Sequence, residues 1–409
     1  TGRYPTSTGM FLNDLALPAD EITIGKTFKH AGYDTAYIGK WHVDGHGRDS
    51  FIPPERQHGW DYWKVLECTH NYMNSFYYEG NDPTIKKWDG YDAYAQTKDA
   101  QAYLRDHADS DKPFFLFLSF GGPHFPHNNA PPELMEHYCA KDLTFRENVP
   151  EDQFERNRKE LPGYYAHCTA IDQCVGELFA TVEATCGLDN TIFIFTSDHG
   201  DMHGSQGKRS WRKQLPWDES ACVPLLIHYP QIHDRDRRVM TAVSIQQLYP
   251  TLCSWAGVET PGSVEFEDAS PFIEGRANEP DRGALIMSVA PFAGDIDFSA
   301  YRGLRTSRYT YVRNSDGPWL LYDNQNDPYQ MTNLIDDAAY SDVQADLEAE
   351  LQRQLARNED DFPTADEARA RWKYKVREGG EIPYNGEFTV QGPGPEHMKK
   401  TAKFPTIEG

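Results

Sequence analysis

Five short, nearly unbroken apolar runs punctuate the chain: "DTAYIG" (34–39), "PFFLFLSF" (113–120), "TIFIFTSD" (191–198), "VPLLIHYP" (223–230) and "GALIMSVAP" (283–291). Runs of this length without polar alternation predict strands of a sheet covered on both faces. Between them the period changes. "EITIGKTFKHAG" (21–32) places Ile22, Ile24 and Phe28 on one helical side and stops at Gly32. "GYYAHCTAIDQCVGELFATVEATCG" (163–187) repeats the pattern with Ala170, Cys174, Leu178 and Val182, and again ends in glycine, a frequent helix terminator because it tolerates positive φ. Alternating strands and helices predict an α/β domain over 1–275, built on a mostly parallel, mixed sheet flanked by helices.

The texture shifts after about residue 275. "YRGLRTSRYTYVRN" (301–314) alternates like an exposed antiparallel strand, and "WLLYDNQNDPYQMTNL" (319–334) reads as a further strand ending in an Asx and Pro turn. "SDVQADLEAELQRQLARNEDD" (341–361) is a charged amphipathic helix. Residues 276–409 are thus expected to form a smaller C-terminal α+β subdomain with an antiparallel sheet. From about 362 the polar, Gly- and Pro-rich sequence predicts a tail laid over the surface. No internal repeat is present, and no run is long and apolar enough to span a membrane.

Charge narrows the functional classes. With 40 basic and 63 acidic residues the formal charge is -23, which argues against a nucleic-acid partner. An anionic small molecule stays open, because a local cluster of cations can reverse the field inside a cleft. The seven cysteines, at 68, 139, 168, 174, 186, 222 and 253, show neither CxxC nor zinc spacing. Most read as buried small apolar residues, with one or two disulfides open in an oxidising compartment.

Ligands of open α/β sheets gather at the carboxyl ends of strands, and those ends carry the chemistry. Lys40 and His42 follow 34–39; "GGPHFPH" after 113–120 brings His124 and His127; "TSDHGDMHG" brings Asp198 and His199; "GKRSWRKQLPWDES" brings Lys208 and Lys213. A carboxylate with a neighbouring group can hold a hard divalent cation. Cation and lysines can neutralise a tetrahedral oxyanion, and a histidine can protonate a leaving oxygen. Each residue alone has a plainer role as turn, hydrogen-bonded imidazole or surface lysine; only their joint placement points to a site. His127 and Lys208 are bystanders in this reading.

"GYDTAYIGKWH" (32–42) matches the second signature of the type I sulfatases, Gly-Tyr-x-Thr-x-x-x-Gly-Lys-Trp-His, at every fixed position. "TGRYPTSTGM" resembles the segment following that family's first signature. "FTSDHGDMHG" resembles its metal-binding strand end, and the stretch from 301 to 334 its C-terminal hallmark. The resemblance runs from residue 1 to about 335 and implies an alkaline phosphatase-like fold. It assigns Lys40 to the sulfate and the nucleophile, His42 to the nucleophile, and His124 to the sulfate ester as a proton donor. Asp198 and His199 become ligands of calcium rather than magnesium. Lys213, eleven residues before Pro224 of "CVPLLI", best matches the second substrate-binding lysine, with Lys208 as its competitor. The implied mechanism is transfer of sulfate onto one hydroxyl of a formylglycine hydrate, followed by expulsion of sulfate as the aldehyde re-forms.

The family's acidic strand and its Cys-x-Pro-Ser-Arg nucleophile segment are expected upstream of Thr1. None of the seven cysteines is followed by x-Pro-x-Arg, so the 409-residue chain alone is expected to be inactive. Cys222 and "QQLYPT" (246–251) also depart from common family residues. A phosphonate or phosphate ester hydrolase of the same superfamily is the nearest alternative. A non-catalytic anion- or glycan-binding protein is the alternative from another class. The aromatic stretch 68–83 with Trp211 and Trp217 suits a sugar ring, so a sulfated carbohydrate is the expected substrate. Family habit implies export to periplasm, exterior or lysosome.

Overall fold

A computed structural model describes residues 1–234, 236–280 and 282–383. Its strands are β1 (Asp34–Lys40), β2 (Tyr62–Leu66), β3 (Phe76–Glu79), β4 (Asp82–Lys87), β5 (Phe114–Ser119), β6 (Phe193–Thr196), β7 (Leu225–His228), β8 (Ala284–Ser288), β9 (Tyr301–Arg305), β10 (Tyr309–Asn314) and β11 (Gly317–Asp323). The helices are α1 (Pro5–Thr8), α2 (Ile24–His30), α3 (Asp92–Asp106), α4 (Pro132–Cys139), α5 (Phe154–Thr185), α6 (Asp218–Ala221), α7 (Leu248–Ala256), α8 (Ser270–Ile273), α9 (Ser341–Arg357) and α10 (Ala365–Arg371).

The strands form a mixed sheet in the order β4-β3-β2-β1-β5, a separate β6-β7 pair and a four-stranded sheet β11-β10-β9-β8. β1 runs parallel to both β2 and β5, which sends Lys40 and the loop after β5 to the same end of the sheet. Gly39 makes that approach possible. Its φ is +110°, and a Cβ there would lie 2.0 Å from the Ser119 carbonyl oxygen, so only glycine fits.

β6 and β7 are antiparallel to each other, which departs from the expected parallel order. They are also less covered than their apolar sequences predict: Leu226 is 65% exposed, and Phe117 of β5 is 43% exposed. The reason is a cavity of about 2300 Å³ lined by β5, β6, Leu178, Val182 and Leu252. Below it Leu116, Leu118 and Phe193 share one core with Ile38, Leu178 and Val182. β5 and β6 both border the cavity, and among the described residues each is hydrogen-bonded to a strand along one edge only.

The stretch 301–314 forms two strands rather than one, joined by a turn at Thr306–Arg308. Nor is it exposed. Leu304, Tyr311 and Leu321 are fully buried against Leu347, Leu351 and Leu355 of α9, so its alternation reflects one face on α9 and another on Trp217 and Trp319. The C-terminal stretch differs too. Trp372, Tyr374 and Ile382 are buried with Leu12, Leu15 and Phe292, and the Tyr374 hydroxyl donates to the Gly9 carbonyl at 2.9 Å. The surface tail is thus absent from 365–382; its part from 384 onward lies outside the described residues. All seven cysteines are free thiols, Cys68, Cys174 and Cys253 buried, Cys139 and Cys222 exposed.

One ion pair anchors the C-terminal sheet. Arg302 and Asp360 have side chains only 0% and 1% exposed, and they meet at 2.6 Å. Arg302 also donates to the carbonyls of Ser288 and Tyr301. Removing one partner strands a buried charge, so Asp360→Ala is expected to cost about 3–5 kcal/mol of unfolding free energy, measured by urea denaturation. Replacing both partners with apolar residues should cost less.

Candidate active site

Each strand end delivers part of one cluster. Lys40 closes β1, and the chain turns at His42, whose φ of +58° lies in the left-handed region. Its ring nitrogen Nε2 lies 3.3 Å from Asp14 Oδ1. Arg48 grips both Asp14 oxygens at 3.0 Å. Burial lowers the His42 pKa and the Lys40 charge lowers it further, while the Asp14 hydrogen bond pulls the other way. His42 is thus a mostly neutral imidazole pinned from behind.

His124 follows β5. Its Nδ1 lies 2.6 Å from the Phe125 carbonyl, which makes Nδ1 the donor and leaves Nε2 with a lone pair. Lys213 Nζ sits 2.8 Å from that lone pair. Burial, then the charges of Lys213 and Lys40, holds His124 far below the ordinary histidine range. Burial and Lys40 together bring Lys213 down to about 8. Lys213 is itself held by its backbone, whose carbonyl accepts from the Ser220 hydroxyl at 2.6 Å. The competing Lys208 points elsewhere, over the Phe298 ring at 4.4 Å.

Asp198 and His199 follow β6. Asp198 opens into the cavity, 79% accessible there, yet protein surrounds it. That enclosure alone would raise its pKa; the charges of His199, Lys40 and Lys213 outweigh it and leave the carboxyl below its ordinary value. His199 Nδ1 lies 2.7 Å from the Gly200 carbonyl, and Nε2 faces Asp198 Oδ2 at 3.3 Å. The His199 and His124 rings are 5.8 Å apart edge to face. Lys40, His42, His124, Asp198, His199 and Lys213 all line the cavity. As a metal site, Asp198 and His199 offer one carboxylate and one imidazole. Calcium takes six to eight oxygens, so this pair fits it only as part of a larger oxygen set.

Three neighbours escaped the sequence reading. Asp14 and Arg48 carry no motif and act through His42. His70 stacks on His124 with ring centres 5.2 Å apart and planes within 6°; burial and then Lys40 push it down to about 4. Its only signal was its place in the aromatic stretch 68–83. That stretch is otherwise scaffold: buried Tyr72 donates to the His124 carbonyl at 2.9 Å, and Tyr77 stacks on Trp88 at 4.0 Å. The expected sugar platform at Trp211 and Trp217 is corrected likewise. Trp217 is buried with Tyr322 and Leu320, and Trp211 lies against Gly294.

Because the Asp14 contact raises the His42 pKa against burial, Asp14→Asn should lower it further. Imidazole NMR across a pH titration reads this directly, and an unchanged or raised value would contradict the assigned contact.

Comparison with known proteins gives one consistent family. The sulfatase family model matches residues 1–258, and the model of the N-sulphoglucosamine sulphohydrolase C-terminal region matches 207–357. The ulvan-active sulfatase of Formosa agariphila is 42% identical over 401 residues, covering 97% of this chain and 78% of that protein. A solved sulfatase structure, from work on the metabolism of multiple glycosaminoglycans by Bacteroides thetaiotaomicron, superposes with a TM-score of 0.80 at 26% identity, covering 90% and 84% of the two chains. The phosphonate monoester hydrolase of Silicibacter pomeroyi shares the fold alone, with a TM-score of 0.64 at 19% identity over 94% and 88%. The chain belongs to the sulfatase family of the alkaline phosphatase superfamily.

Proposed function

We propose that the site hydrolyses the sulfate ester of a sulfated carbohydrate, and that it does so once a further strand fills the cavity between β5 and β6. The observation that carries the oxyanion reading is Lys213. This enclosed ammonium group lies against the lone pair of a neutral imidazole, with Lys40 adding positive charge beside it. Such a pair of cations attracts a compact anion. The sugar reading rests on the relatives, one ulvan-active and one from glycosaminoglycan metabolism. The strand reading rests on the edges of β5 and β6 that pair with no strand among the described residues and on the apolar cavity they border.

In this reading Lys40 and Lys213 hold the sulfate oxygens and neutralise the charge that grows on them in the transition state. His42, pinned by Asp14, orients the nucleophile. His124 has its Nδ1 proton committed to Phe125. Its Nε2 can hand a proton to the departing sugar oxygen only once it has taken one from solvent, which a bound sulfate favours by offsetting the Lys213 and Lys40 charges that hold His124 neutral. Calcium, with Asp198 as one ligand and His199 beside it, would supply Lewis-acid charge next to the sulfate. The remaining oxygen ligands would come from the acidic pair expected on the added strand. The nucleophile, a formylglycine hydrate made from a cysteine or serine, would supply the attacking hydroxyl from the same segment. Export follows family habit.

The phosphonate or phosphate ester alternative shares this fold. It is distinguished by rate: the extended enzyme should turn over a sugar sulfate faster than the matching phosphate, and the reverse order would favour the alternative.

Three further outcomes are expected. The 409-residue chain should release no sulfate from an aryl sulfate by ion chromatography. The same chain preceded by an acidic strand and a modified Cys-x-Pro-Ser-Arg segment should do so; turnover by the chain alone would sink the strand proposal. In the active form, Lys213→Ala should lower kcat by about 100-fold to 1000-fold. Because the Lys213 ammonium loses its proton above its folded pKa of about 8, kcat/KM should fall as pH rises through that value. Lys213→Arg should shift or abolish that limb.

A further inference from the structure

Behind the catalytic cluster, three side chains that the sulfate chemistry does not use converge on one point. His127, from the loop after β5, and Asp201 and His203, from the loop after β6, place one ligand atom each within 4.8 Å of one another. His127 is 3% exposed; the Pro123 carbonyl faces one of its ring nitrogens, the other has no hydrogen-bond partner, and neither has His203 Nε2. Leaving two imidazole nitrogens unmatched in a protein interior is costly.

The surroundings fix how His203 presents itself. The Ser210 hydroxyl donates to Glu160 of α5. Having given away its proton, that oxygen is an acceptor for His203 Nδ1, 3.3 Å away. His203 Nδ1 therefore carries the hydrogen, and Nε2 presents a lone pair. That lone pair lies 3.6 Å from Asp201 Oδ1, where two electron-rich atoms face each other with no proton between them. Asp201 is fixed in turn by the backbone N–H groups of His203 at 3.0 Å and Trp211 at 2.8 Å. A carboxylate-linked hydrogen bond behind a ring nitrogen, setting tautomer and orientation, is how histidine ligands of metals are held. The rings of His127 and His203 are 5.0 Å apart.

We propose that His127, Asp201 and His203 bind a divalent transition-metal ion of the zinc type, separate from the calcium of the sulfate site. Two imidazoles and one carboxylate match zinc, with water as fourth ligand; calcium prefers six to eight oxygens, and of these three residues only Asp201 offers any. The ion ties the loop after β5 to the loop after β6. These are the loops that bear His124 and Asp198, on strands that share no hydrogen-bonded ladder. It is a structural clamp across the cavity that holds the two halves of the catalytic cluster in register.

The test uses the 409-residue chain stripped with dipicolinate, and it needs no catalytic activity. Calorimetric titration with Zn2+ should show one site per chain that survives excess Ca2+. Titration with Co2+ should give the intense visible absorption of a tetrahedral ion. His127→Gln and His203→Gln should each abolish that spectrum, Ser210→Ala should weaken binding about 10-fold, and Asp198→Asn should leave it intact. A pale octahedral Co2+ spectrum or no zinc uptake by the unmutated chain would overturn the proposal. So would binding that survives both histidine substitutions or disappears with Asp198→Asn. If a histidine variant fails to fold, the Co2+ spectrum of the unmutated chain and the Asp198→Asn control decide.

Discussion

The Lys213–His124 contact is the constraint on which the site turns. An ammonium group is enclosed in protein with a second lysine charge nearby, and its close partner is a neutral imidazole. In this state the cluster is short of negative charge. Such an arrangement persists only if the scaffold holds it, and three features do so. Gly39 lets β1 and β5 close up so that Lys40 reaches the cavity. The Phe125 carbonyl fixes the His124 tautomer. Ser220 pins the backbone of Lys213. A compact anion would complete these electrostatics rather than disturb them.

The same logic separates the working residues from their supports. His42 would be free to rotate without Asp14, and Asp14 without Arg48 would be less firmly held. His124 is backed by the His70 ring and by the Tyr72 hydroxyl on its carbonyl. Further back, His127, Asp201 and His203 join the two strand-end loops. The cavity between β5 and β6 leaves those loops without a shared sheet, so side-chain contacts must carry the alignment.

Much of this was legible in the sequence where local chemistry is strict. The Gly-Lys-Trp-His run marked the end of β1, because only glycine tolerates the Ser119 carbonyl so close. The offset to "CVPLLI" selected Lys213 over Lys208, and Lys213 is the lysine that meets His124. What could not be read were contacts between distant segments with no local signature. Asp14 reaches His42 across 28 residues. Trp372, Tyr374 and Ile382 stand singly among charges, so nothing in their spacing announces the core they share with Leu12 and Leu15. The aromatic residues at 211 and 217 looked like a sugar platform because composition cannot tell a packed ring from a presented one. The antiparallel β6-β7 pair was missed for a similar reason, since an apolar run carries no direction.

Sulfate binding to the 409-residue chain tests the central claim most directly, because it needs neither nucleophile nor turnover. Calorimetry with sodium sulfate should show one site at pH 7. Its affinity should fall in Lys40→Ala and Lys213→Ala, and it should weaken as pH rises past about 8. Equal sulfate affinity in the unmutated chain and both lysine variants would show that the cations of this cluster do not form an oxyanion site.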